Sequence, residues 1–122
     1  MNLSSQSKDI VEKAGRTLSR LYTLGLTPLQ ILILMEVRWQ EWVVSSDQRI
    51  FSNKVYRAVA EKFRDNQRDP PTREGFWVAA RALQGKKLLF VAAPSKGSSK
   101  RIMNLTCYSE DLFEYPQSIK LY

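Results

Sequence analysis

A chain of 122 residues with 43% hydrophobic content suits one compact domain with a single core and leaves little room for a second. Lys and Arg number 19 against 12 Asp and Glu, a formal charge of +7, which favours anionic partners, with nucleic acid foremost; ribosomal and membrane-peripheral proteins share this balance. There is no histidine and one cysteine, Cys107, which excludes an internal disulfide, the usual metal-ligand sets and imidazole catalysis, and fits a reducing compartment.

The opening Met1-Asn2-Leu3-Ser4-Ser5 lacks the charged-then-apolar layout of a signal peptide and reads as the start of a fragment of a longer chain. Ser7 or Asp9 caps a first helix whose apolar residues Ile10, Ala14, Leu18, Leu21 and Tyr22 recur at helical spacing as far as Gly25. Thr27-Pro28 restarts the helix with an N-cap and a proline at the first position, without an acid three residues on to complete a capping box. The second helix runs to about Val44. Its apolar run Ile31–Met35 is far too short to span a bilayer, and a soluble, intracellular protein with no membrane partner is expected.

On that helix Ile31, Leu32, Met35, Trp39, Trp42 and Val43 gather on the face assigned to the core, and Ile33, Leu34 and Val37 fall opposite. The surplus apolar edge is covered either by the first helix or by a second protomer. After the polar break Ser45-Ser46-Asp47-Gln48-Arg49, Ser52 or Asn53 caps a third helix from Lys54 to about Asn66, with Val55, Val59 and Phe63 in register. Pro70-Pro71-Thr72 starts a fourth, closed by Gly85, with Phe76, Ala79, Ala80 and Leu83 inward. Leu88-Leu89-Phe90-Val91 and the stretch through Ile102, Leu105 and Cys107 read as two strands joined at Gly97, with Cys107 a small core residue in mid-strand. Ser109-Glu110-Asp111 opens a brief terminal helix through Phe113, before Pro116.

Helices followed by a hairpin give an α+β, mostly α chain: a winged helix, with a helix-turn-helix core and a β-hairpin wing at 26–122, preceded by a helical extension at 1–25. Gly75 to Ser109 contains no Asp or Glu, and the charge excess is centred at 45–94, with ten basic residues against five acidic. Arg73, Arg81, Lys86, Lys87, Lys96, Lys100 and Arg101 are therefore candidate DNA contacts, suited to phosphates from the wing and the helix end. The outward positions of the fourth helix, Glu74, Val78 and Arg81 flanked by Arg73, Trp77 and Gln84, make a poor base reader. Trp77 either anchors a protein partner or folds against the wing; with Val78, Ile33, Leu34 and Val37 it forms the candidate dimer surface. Basic and aromatic residues are not interleaved as in single-strand RNA binders. No phosphate-loop motif or nucleophile-and-base set is present, so neither an enzyme, a cofactor nor a metal is expected.

The stretches Leu26–Met35, Val55-Tyr56-Arg57, Leu88–Val91 and Ser99–Leu105 resemble the C-terminal winged-helix domain of the eukaryotic origin-recognition large subunit and its replication-initiator relatives, including the yeast Sir-type silencing paralogue. The resemblance covers about residues 26–115. It implies a nuclear, chromatin-bound protein lacking here the ATPase-like module that precedes the domain in that family. In the initiator branch it implies duplex-DNA contact through Arg73, Arg81, Lys96, Lys100 and Arg101. In the silencing branch it implies homodimerisation among chromatin proteins. Glu74, Trp77 and Val78 depart from a strong DNA reader and turn the expectation towards self-association.

Overall fold

The computed structural model describes residues 5–43, 49–110, 112 and 113, with the side chains of 5–11, 13, 14 and 110 outside the description. The expectations for Val44 to Gln48, for the side chains of Ile10, Ala14 and Glu110, and for Asp111 and Pro116 lie outside the described residues.

Helix α1 (Ser5–Thr23) is followed by α2 (Pro28–Val43), α3 (Ser52–Asp65), α4 (Arg73–Gly85), strand β1 (Leu89–Ala92), strand β2 (Ile102–Leu105) and the short α5 (Cys107–Glu110). Because α1 is already helical at Ser5, Ser7 and Asp9 sit inside it and not at its N-cap. Gly25, at φ 74°, ends it in the left-handed conformation that glycine adopts without a steric penalty. The start of α2 is a full capping box. Thr27 Oγ1 accepts from Gln30 N at 3.2 Å, and Thr27 N donates to Gln30 Oε1 at 2.9 Å, so a glutamine completes the capping box that the lack of an acid three residues on spoke against.

The central helix is α2, which packs against α1, α3, α4 and β2. This turns the expected face in part: Ile31 is buried as expected, and Leu32 and Met35 pack partly buried against the core. Ile33, Leu34 and Val37 are fully buried, whereas Trp39 and Val43 are 56% and 63% exposed and Trp42 is half-buried. Polar residues share the buried side. Gln40 Nε2 donates to Glu36 Oε2 at 3.0 Å and Lys62 Nζ lies 3.4 Å from Glu36 Oε1, so both Glu36 and Gln40 enter the interior with partners. Ile33, Leu34 and Val37 are core residues of one protomer and form no dimer surface.

Val55 and Val59 of α3 and Phe76, Ala80 and Leu83 of α4 close on α2, joined by Leu89, Met103 and Leu105 from the hairpin. Each large side chain so enclosed is worth about 1.5–3 kcal/mol relative to exposure. The third helix has Phe51 as its N-cap, with no side-chain cap, so neither Ser52 nor Asn53 plays that part. Thr72 caps α4, its hydroxyl accepting from Gly75 N at 3.0 Å. Just past Gly85, Lys87 takes the left-handed position at φ 62°: Leu88 N donates to Leu83 O and Lys87 N to Gln84 O, a Schellman closure of α4.

The hairpin is antiparallel, with Leu89 opposite Leu105 and Val91 opposite Met103. On the far side of β2, Phe51 bridges to Ile102, with Ser52 N donating to Arg101 O and Met103 N to Ile50 O, both at 2.8 Å. The segment 50–52 is thus a third, very short edge that ties the start of α3 to the base of the wing. Glu41 of α2 fixes the other end, accepting from Leu105 N at 3.1 Å. Cys107 is not in a strand: it opens α5 and is exposed. The chain leaves β2 there because Thr106 and Ser109 bond each other reciprocally, Thr106 N to Ser109 Oγ at 3.0 Å and Ser109 N to Thr106 Oγ1 at 3.3 Å.

Candidate nucleic-acid interface

With Phe76, Ala79, Ala80 and Leu83 turned inward, the 3.6-residue period sends Arg73, Glu74, Val78, Arg81 and Gln84 outward, and all five are exposed. Trp77 is half-buried, edge-on to Phe76 with ring centroids 5.7 Å apart, and stands as a ridge between two grooves. One groove, of about 780 Å³, lies between the start of α3, the start of α4 and the wing; the other, of about 580 Å³, lies between α4 and the hairpin.

The larger groove is the cationic one. Lys54 and Arg57 of α3, Arg73 of α4, and Lys100 and Arg101 of the wing line it, and among the described residues no carboxylate does. Aromatic rings hold two of these cations in place. The Arg73 guanidinium lies 4.7 Å from the centre of the Tyr56 ring, and the Lys100 ammonium 5.5 Å from that of Phe51. Contacts of this kind are worth about 0.5–1 kcal/mol at exposed sites, enough to bias a long side chain toward one direction. Tyr56 is itself anchored, its hydroxyl donating to Pro71 O at 2.8 Å.

Arg101 is braced by the wing tip. Gly97 takes φ 81°, the chain turns with Ser98 N donating to Ser95 O, and Arg101 Nη1 then donates to Ser98 O at 2.8 Å and Lys100 O at 2.9 Å. Among the described residues its Nε–H and Nη2 hydrogens meet no acceptor. A preorganised guanidinium and four further cations in an acid-free concavity meet the requirements for binding a chain of phosphates.

The structure brings together Arg73, Lys100 and Arg101 of the expected contacts, and places Arg81 in the neighbouring groove with Arg101. It does not bring in the others. Lys86 and Lys87 lie at the opposite end of α4 from Arg73, about 20 Å along the axis at 1.5 Å per residue, beside Thr106, whose hydroxyl donates to Lys87 O. Lys96 is exposed at the wing tip and lines neither groove. Lys54 and Arg57 are the contacts that sequence reasoning missed. Their signal was present: they stand three residues apart on the side of the third helix away from Val55 and Val59, within the segment that carries the charge excess. Of the candidate dimer residues, Val78 is 62% exposed and Trp77 lines both grooves.

Comparison with solved structures adds the fold. The chain is similar to a point mutant of S. aureus MepR bound to an oligodeoxyribonucleotide, with a TM-score of 0.56 and 19% identity over 88% of this chain and 67% of that one. It is likewise similar to MepR in an S. aureus MepR–DNA complex, with a TM-score of 0.52 and 19% identity over 87% of this chain and 71% of that one. No protein-family model matches the sequence, and neither does any curated protein. At this identity the likeness is one of architecture and does not extend to the origin-recognition family: the chain is an α+β winged helix, with α2, α3 and α4 as its helical core and the β1–β2 hairpin as its wing.

Proposed function

We propose that this domain is a non-enzymatic module that contacts duplex DNA through phosphates, using the start of α3, the start of α4 and the wing. The observation that carries the reading is the acid-free groove lined by Lys54, Arg57, Arg73, Lys100 and Arg101. The DNA-bound state of the similar MepR structures supports it. Binding of this kind is nearly indifferent to sequence, because Glu74 in the first turn and Val78 in the next are exposed on the helix that would face base edges. The nuclear, chromatin-bound setting rests on the sequence resemblance alone. Fluorescence anisotropy with a labelled duplex at low salt tests the reading: Lys100→Glu and Arg101→Glu each weaken binding about tenfold or more, whereas affinity unchanged by both reversals rules the groove out.

Self-association is a second reading, now on a different face. Trp39 and Val43 are exposed apolar side chains on the outer side of α2, flanked by half-buried Trp42, while Leu32 and Met35 on the same stripe pack partly against the core. Sedimentation equilibrium across a range of concentrations decides it. A dimer that persists at high salt and is lost in Trp39→Arg supports it; a monomer at the highest concentration excludes it.

A further inference from the structure

The smaller groove differs in kind from the cationic one, and its lining matches the parts of a nucleotide. Its apolar surface is Val91, Ala92 and Ala93 of the hairpin, one wall is the half-buried indole of Trp77, and its polar groups are Gln84, Arg81, Ser99 and Arg101. At about 580 Å³ it has room for a base with its sugar and phosphate. Among the described residues no carboxylate lines it, and the side chains of Gln84 and Arg81 make no hydrogen bond or ion pair with any of them. A carboxamide matches the paired donor and acceptor on the edge of adenine, an indole supplies a stacking face to any base, and guanidinium groups take the phosphate.

The geometry points to a pocket for one unpaired nucleotide of a bound nucleic acid. The base stacks on Trp77 over the apolar hairpin surface, Gln84 reads its edge, and Arg81 and Arg101 hold its phosphate. This rests on the nucleic-acid reading above and goes beyond it, since a continuous duplex has no unstacked base to offer. Arg101 lines both grooves, so an extruded nucleotide enters one while the flanking backbone remains in the other. The preferred ligand is a duplex with a bulge or an otherwise unstacked position, with adenine there favoured over a pyrimidine.

Binding of a fully paired duplex and of the same duplex carrying one unpaired adenine, measured by anisotropy, tests the pocket. The bulged duplex is expected to bind about tenfold more tightly, the range that one base–aromatic stack supplies. Trp77→Ala removes this preference, read as the ratio of the two affinities because Trp77 also lines the larger groove. Gln84→Ala, at an exposed position that no internal contact needs, removes the preference of adenine over thymine and provides the test should Trp77→Ala fail to fold. Equal affinity for the two duplexes, or a preference that survives both substitutions, overturns the pocket and leaves the duplex reading intact. Failure to bind either duplex overturns both.

Discussion

Gln67 takes φ 57° at the end of α3, where Gln67 N donates to Arg64 O and Arg68 N to Phe63 O, the closure that usually holds glycine. A side chain there is strained by about 1–2 kcal/mol, part of which glycine returns as unfolded-state entropy. Gln67→Gly is therefore expected to stabilise the domain by about 0.5–1 kcal/mol, read as a higher urea midpoint. The turned face of α2 has an equally sharp test. Ile33→Ala is expected to cost about 2–5 kcal/mol as a cavity in the core, and Trp39→Ser to change stability by less than about 1 kcal/mol; the opposite order would restore the face expected from periodicity. Periodicity misled here for a local reason. Gln30, Glu36 and Gln40 are buried with side-chain partners, in the capping box and in the Gln40–Glu36–Lys62 chain, although Gln40 Oε1 itself meets none, and partners of that kind cannot be seen in a sequence. Cys107 misled likewise, because the Thr106–Ser109 exchange that ends β2 depends on two hydroxyls meeting in space.

Helix α4 and the hairpin were the most legible elements. Pro71-Thr72 fixes the start of α4, one apolar stripe fixes its inward face, and Gly97 fixes the turn of the wing, each a short-range signal read from adjacent residues. The part of α3 was legible only as exposed cations within the charge excess, because Lys54 and Arg57 become site residues only when the 50–52 edge pairs with β2 and lays the start of α3 beside the wing. Charge reversal separates the elements. Lys54→Glu or Arg57→Glu is expected to weaken duplex binding as much as Lys100→Glu, by about tenfold, while Lys86→Glu, at the far end of α4, changes it by less than about threefold. A Lys86→Glu effect equal to that of Lys54→Glu would mean that net charge, and not the groove, drives binding.

For the whole molecule, the charge of +7 resolves into a concave, acid-free region on one side and exposed apolar side chains, Trp39 and Val43, on α2. The winged-helix order was legible because each element carries its own stripe and stop signals; which face meets a partner was not, because that depends on how α2 is turned among its neighbours. The central claim is that five cations from three elements act together on phosphates. The affinity of the domain for a paired duplex, followed from about 50 to 200 mM salt, tests it most directly. A log–log slope approaching about −4.5, shallower by about one for Lys54→Glu, is the predicted result at about −0.9 per neutralised phosphate. A slope near zero, or one that Lys54→Glu leaves unchanged, contradicts the account.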